Sequence, residues 1–338
     1  MNCPGCLKAE HESYCPACRT LIFDESDIAP VLTFSRPAYD QKKLTVTSDR
    51  LSISGIQTKI SLVLREGKLE MTESGGQFIF KPIPRGEFLR LEAVPINENL
   101  TMQIARQVFD IEVAANGLIR FQNGEPAYIV RRFDVAANGA KSLQEDMAQI
   151  AGRSEETHGR NYKYDFSYEE IAELIRKHVA QPQEDVERFF KLVVFNYLVN
   201  NGDAHIKNFS LIMESQTSQY RLTPAYDLLD TRLHLPNETR TALELFKDEF
   251  ETASFKANAF YAHDDFREFA RRLLLEDARA ERILNGFVEK KDEIYALVDR
   301  SQLSDECKQL YKEHVQDSMK AIAYSYSGRL LRSGSDVE

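Results

Sequence analysis

The chain has 338 residues, of which 43% are hydrophobic and 28% charged, with a formal net charge of −10. That length leaves room for two lobes with a sizeable core, and the acidic balance argues against sequence-blind nucleic-acid binding by the whole molecule. No apolar run reaches the roughly 18 residues that span a bilayer and no basic-then-apolar leader is visible, so a cytoplasmic location with no membrane partner is expected.

Four of the five cysteines fall in "MNCPGCLKAEHESYCPAC". Cys3 and Cys6, then Cys15 and Cys18, form two C-x2-C knuckles, which together supply four thiolates for a tetrahedral Zn²⁺. Two small disulfides are the other reading, and a reducing compartment disfavours them. With four cysteine ligands no coordination position stays open, so a structural zinc ribbon over 1–23 is expected, folded by its metal.

Residues 24–50, with Pro30 and Pro37, read as a linker. "KISLVL" (59–64) and "GQFIFKP" (76–82) predict strands, with turns at Gly67 and Gly75-Gly76. "NENLTMQIARQVF" (97–109) spaces Leu100, Ile104 and Val108 four apart and predicts an amphipathic helix. "GLIRFQ" and "PAYIVRRF" (126–133) predict further strands around the Asn123-Gly124 turn. Strands, one helix and more strands describe a small α+β lobe over 51–136.

After Asn138-Gly139 helices take over, giving a helical lobe over 137–331 and a flexible tail over 332–338. "EDVERFFKLVVFNYLVNN" is apolar on nearly every face, as a central helix is. "FSLIM" (209–213) and "YRLT" (220–223) predict a hairpin that leads into "PAYDLLD".

Three polar positions stand out against this frame. Asp203 and Asn208 lie five apart in "GDAHIKNFS", between the central helix and a strand. An acid and an amide so spaced occur in phosphoryl-transfer loops, where the acid accepts a hydroxyl proton and the amide oxygen helps hold Mg²⁺. They suit equally a plain helix end, with Gly202 as its cap. Asp227 fits either a second Mg²⁺ ligand or a helix N-cap. Lys81, inside the apolar strand "FIFKP", needs a partner if its amine is buried, and Glu98 early in the following helix is the candidate; otherwise it snorkels at a strand end. Upstream, "LSISGIQTK" offers backbone amides that could cover phosphates, with Gly55 as its single glycine.

These pieces together make the chain resemble the HipA family of bacterial toxin kinases, and more closely its short HipT-like branch. The matching stretches are "SISGIQTK", "FIFKP", "NEN", "VRRFD", "LQEDMAQIAG", "GDAHIKNFSL" and "LTPAYD", in family order over about residues 50 to 330. The resemblance implies an α+β, two-lobed kinase-like fold, with a small β-rich N-lobe and a larger helical C-lobe, that transfers the ATP γ-phosphate to a serine. It implies Asp203 as catalytic base, Asn208 and Asp227 as Mg²⁺ ligands, and Lys81 on the ATP phosphates with Glu98 as its ion-pair partner. Ser54 and Gly55 would cover the phosphates, Arg131 to Phe133 would line the adenine site, and His205 and Lys207 belong to the ATP-binding motif. Ser52 and Ser54 match a serine pair that relatives autophosphorylate.

The resemblance also implies partners. Characterised relatives phosphorylate aminoacyl-tRNA synthetases and are restrained by a HipB-like helix-turn-helix antitoxin, through which DNA is mainly contacted. The family's longer members carry an extra N-terminal subdomain of about one hundred residues, for which this chain has no room, so a separate small protein resembling it is expected. The ribbon lies outside the family pattern; it could dock that partner, touch DNA with the complex, or close one edge of the small lobe. Two rivals stand. One is a small-molecule phosphotransferase of the aminoglycoside or choline kinase type, although those enzymes place a histidine where Asn201 stands. The other is a zinc-ribbon adaptor with an inactive kinase-like domain.

Overall fold

A computed structural model of the chain describes residues 2–34, 57–136 and 139–328. The chain divides into two compact units. Unit 1 comprises Met1–Gln144, Pro224–Glu238 and Glu293–Tyr311; unit 2 comprises Glu145–Thr223, Thr239–Asp292 and Lys312–Glu338. Segments 224–238 and 293–311, expected within the helical lobe, therefore cluster with the strands of the small one.

In unit 1, helix α1 (Pro16–Phe23) precedes strands β1 (Ile60–Arg65), β2 (Lys68–Met71) and β3 (Phe78–Pro82), helix α2 (Val94–Gln107), and strands β4 (Asn116–Arg120) and β5 (Pro126–Arg131). The strands form an antiparallel sheet in the order β2-β1-β3-β5-β4. Strand β2 is absent from the sequence reading. It arises because Glu66 and Gly67 both take left-handed backbone, with φ of 48° and 74°, and close a two-residue hairpin between Arg65 and Lys68. Helix α2 begins three residues before its predicted start, since Pro95 in its first turn needs no backbone donor.

Alternation along β3 sorts the two faces of the sheet. Phe78 and Phe80, with Leu62, Ile119, Ala127 and Ile129, share one buried cluster with Cys3, Tyr14, Ile22, Phe23, Ile28 and Leu32. Residues 2–34 thus supply half of that core. Backbone bonds fasten them to β4: Leu118 N donates to Pro4 O at 2.9 Å, Arg120 N to Pro30 O at 2.9 Å, and Leu32 N to Arg120 O at 2.7 Å. This partnering satisfies a strand that would otherwise be an open edge. Tyr14 Oη adds a bond to Leu118 O at 2.5 Å. Only glycine fits at 117, because a Cβ there would stand 2.9 Å from the Tyr14 ring and 3.4 Å from Gly5 Cα. Residues 24–34, expected as linker, are seated on the sheet; the rest of that stretch and the tail over 332–338 lie outside the described residues.

Unit 2 opens at Glu145, within β6 (Gln144–Asp146), and continues through the short helices α3 (Met147–Ile150) and α4 (Glu155–His158) to α5 (Tyr168–His178) and α6 (Pro182–Leu198). The predicted hairpin is β7 (Ser210–Met213) and β8 (Tyr220–Leu222), paired antiparallel with Leu211 opposite Leu222 and joined to β6. Helix α6 is the centre of this unit. Phe189 packs on Phe209 at 5.2 Å between ring centroids, Phe190 on Phe269 at 5.9 Å, and Tyr197 on Phe266 at 5.1 Å. No helix among the described residues is long and apolar enough to cross a membrane.

Candidate active site

In unit 1 the candidate residues converge on one buried ammonium. Lys81 is 3% exposed, so it does not snorkel. Its Nζ donates to Glu98 Oε1 at 2.6 Å and also to Asp227 Oδ1. Lys59 Nζ approaches the other Asp227 oxygen at 3.3 Å, and the Tyr128 ring lies 5.3 Å from Lys81 Nζ. Burial works against the Lys81 charge, but Asp227 and Glu98 outweigh it and hold the ammonium pKa above its ordinary value. Burial pushes the Glu98 carboxyl up to about 7, opposed by Lys81 and reinforced by Asp227. Burial also opposes ionisation of Asp227, yet Lys59 and Lys81 draw its pKa well below the usual carboxylate range.

Asp227 is not a helix cap. The capping role in this segment falls to Asp230, whose side chain accepts from Arg232 N at the start of a short 3₁₀ turn. Asp227 instead takes left-handed backbone, φ 55°, which a non-glycine residue keeps only where its surroundings over-determine it. Beside this cluster opens a cavity of about 150 Å³ lined by Ile79, Val130, Arg131, Phe133 and Tyr226, among others. The Phe133 and Tyr226 rings lie 5.9 Å apart, tilted by 34°. The Arg131 guanidinium bonds Asp24 at 2.6 Å.

In unit 2, Asp203 to Asn208 occupy the turn between α6 and β7. The residue that takes the left-handed turn at the end of α6 is Asn200, φ 56°, so Gly202 is not the cap. Asn201 ties the loop to α6: its backbone N–H donates to Asn196 O at 2.8 Å and its amide to Asn196 Oδ1 at 2.9 Å. Asn208 Nδ2 donates to Asp203 O at 2.9 Å. Tyr164 Oη donates to Asp203 Oδ1 at 3.0 Å, and His205 Nε2 lies 3.8 Å from the same oxygen. Lys207 pairs with Asp146 at 3.5 Å; burial disfavours its charge, and Asp146 raises its pKa despite that.

The four ribbon cysteines place their sulfurs within 4.8 Å of one another, with Cys6 Sγ and Cys15 Sγ 3.7 Å apart. Thiolates at ~2.3 Å around a tetrahedral zinc would be about 3.8 Å apart. Cys15 N–H points at Cys3 Sγ at 3.2 Å. Ser52, Ser54 and Gly55 lie outside the described residues.

Sequence reasoning missed Tyr164, Lys59, the role of Asn97 and the contact between Lys81 and Asp227. Lys59 carried a signal, since it ends the quoted "SISGIQTK" and opens β1's sequence run. Tyr164 carried none, because nothing in its neighbourhood ties it to a loop 39 residues later.

Comparison with known proteins gives a consistent result. A family model described as the HipA-like C-terminal domain matches residues 51–294. A Haemophilus influenzae protein named as a kinase is 28% identical, with the match covering 82% of this chain and 83% of that protein. The serine/threonine-protein kinase toxin HipA of Shewanella oneidensis is 26% identical over 68% of this chain and 54% of its own length. A kinase-named Sinorhizobium fredii protein, Y4mE, is 33% identical over 59% of this chain and 46% of its own, so the chain spans about half of those two relatives. Among solved structures, Shewanella oneidensis HipA, determined with HipB and operator DNA, matches with a TM-score of 0.65 at 23% identity, covering 84% of this chain and 67% of that one. The Helicobacter pylori proinflammatory kinase CtkA matches with a TM-score of 0.53 at 14% identity, covering 78% and 90%. Both likenesses carry an α+β kinase-like fold.

Proposed function

The chain belongs to the HipA-like C-terminal domain family, and on that footing we propose that it is an ATP-dependent kinase that phosphorylates a serine of a protein target. The observation that supports this most is the Lys81–Glu98 pair, buried beside a cavity lined in part by Phe133 and Tyr226. A strand lysine paired with a helix glutamate is how protein kinases hold nucleotide phosphates.

In this reading the substrate hydroxyl gives its proton to Asp203 while its oxygen attacks the γ-phosphorus. The bond from phosphorus to the bridging oxygen breaks, and ADP leaves. Tyr164 steadies the Asp203 carboxylate, and Lys81 meets the phosphates. Ser54 and Gly55 cover the phosphates, Arg131 to Phe133 line the adenine site, and His205 and Lys207 assist at the nucleotide. Asp227 and Asn208 would hold magnesium, since carboxylate and amide oxygens suit a hard cation and the Asn208 nitrogen is already engaged by the loop. When bound, the metal neutralises phosphate charge. Cys3, Cys6, Cys15 and Cys18 would hold one structural zinc.

Family membership extends the proposal to a cytoplasmic toxin–antitoxin role. The restraining partner would be a HipB-like helix-turn-helix antitoxin that carries most DNA contact, and a separate small protein would resemble the family's extra N-terminal subdomain. An aminoacyl-tRNA synthetase is the proposed class of target, and Ser52 and Ser54 are proposed sites of self-phosphorylation. The test is incubation with labelled ATP, Mg²⁺ and a cell lysate, followed by phosphosite mapping. Label on a protein serine, absent with Asp203→Asn, supports the kinase. Label confined to small molecules favours the phosphotransferase, and no turnover with or without Mg²⁺ favours the adaptor.

A further inference from the structure

Helix α2 buries more than Glu98. Its neighbour Asn97 is 0% exposed and uses every hydrogen-bonding position of its amide. Nδ2 donates to Asp230 O at 2.8 Å and to His234 Nε2 at 3.0 Å. Oδ1 accepts from Asp230 N at 3.1 Å and from Thr101 Oγ1 at 3.2 Å. The Asn97 amide therefore pairs with both backbone groups of Asp230, as a strand neighbour would. His234 fits as acceptor: it is 1% exposed, burial holds its pKa below the ordinary value, and its other ring nitrogen meets Leu89 O at 3.0 Å.

Asp230 lies three residues beyond Asp227. Two residues before Asp227, the chain is fixed again: Ala225 N donates to Glu112 O at 2.8 Å, and Ala225 O accepts from Ala114 N at 2.9 Å. The left-handed Asp227 is thus suspended between two fixed points, one of them Asn97. We propose that Asn97 is a positioning residue for Asp227, clamping the loop so that helix α2 presents Glu98 and the loop presents Asp227 to the same Lys81 nitrogen. This rests on the reading of Asp227 as a ligand of the magnesium–nucleotide complex.

The test compares ATP affinity with and without Mg²⁺, by calorimetry on the full chain, for wild type, Asn97→Asp and Asp227→Ala. Asn97→Asp keeps the shape and loses both donors. The expected result is a loss of about 10- to 100-fold in the magnesium-dependent part of the affinity, the usual effect of an outer positioning group, with metal-free ATP affinity unchanged. In the Asp227→Ala background, Asn97→Asp should have no further effect on that increment. A folded Asn97→Asp protein with the wild-type increment overturns the proposal. Wild type that binds no Mg-ATP overturns the kinase reading instead. A check on wild type needs no variant: the Asp230 amide, held by Asn97 Oδ1, should exchange slowly with deuterium. Exchange at the rate of a free peptide would overturn the clamp.

Discussion

The Lys81 ammonium donates to the Asp227 carboxylate across 146 residues of sequence, from the nitrogen that meets Glu98 at 2.6 Å. Removing the cation leaves the buried Glu98 carboxyl facing an Asp227 that keeps Lys59 as its cation. Lys81→Met is expected to destabilise unit 1 by about 3–5 kcal/mol, the cost of breaking a buried pair from one side. Adding Glu98→Gln should recover part of that loss. Chemical denaturation of the single and double variants checks it, and equal stability of the two would count against the charge explanation.

Glu98 gives a pH prediction with a definite sign. Its carboxyl is pushed up to about 7 in the folded chain, above its ordinary value near 4.5. The folded form then holds the proton more tightly, so the contribution is full below about 4.5 and lost as pH rises through about 7. Relative to Glu98→Gln, wild type should therefore lose stability between these values. Parallel denaturation curves for the two proteins across that range would contradict the assignment.

The ribbon shares a core with the sheet that carries Lys81. Cys3→Ser with Cys6→Ser, or removal of the metal by a chelator, is expected to cost unit 1 about 2–5 kcal/mol, the scale of losing a large buried apolar side chain. ATP affinity should fall with it. Thermal unfolding and ATP titration before and after chelation, with elemental analysis for zinc, read both. Unchanged unfolding after complete zinc loss would make the segment an appendage.

Tyr164 donates to Asp203 at 3.0 Å. A hydrogen bond to a charged group is worth about 1.5–3 kcal/mol, so Tyr164→Phe is expected to slow phosphoryl transfer by about 10- to 100-fold while ATP affinity stays as in wild type. Single-turnover rates beside equilibrium titration separate the two.

How much of this was legible depends on the distance over which each residue acts. Lys81 was readable because an amine in an apolar run requires a partner, and an acid at the next helix start supplied one. Its contact with Asp227 was not, since no local pattern links a strand to a loop so far along the chain. The C-x2-C knuckles marked four cysteines whose sulfurs come within 4.8 Å of one another. Their seat on β4 depended instead on Gly117 and on Ile28 and Leu32, scattered apolar residues in a stretch whose prolines suggested a linker. The loop at Asp203 was legible from its spacing, but its helix ends through Asn200, because asparagine adopts left-handed backbone more readily than most side-chain-bearing residues. Asn97 was hidden for a different reason: a buried amide on a helix looks like any polar residue until its partners are seen.

The most direct measurement is the rate of phosphate transfer from Mg-ATP to protein serine by wild type and by Asp203→Asn, with ATP affinity measured on the same preparations. The two proteins should fold alike and bind ATP alike, while transfer to targets and to Ser52 or Ser54 falls by about 10²- to 10⁴-fold in the variant. Serine phosphorylation at the wild-type rate in Asp203→Asn would contradict Asp203 as the base.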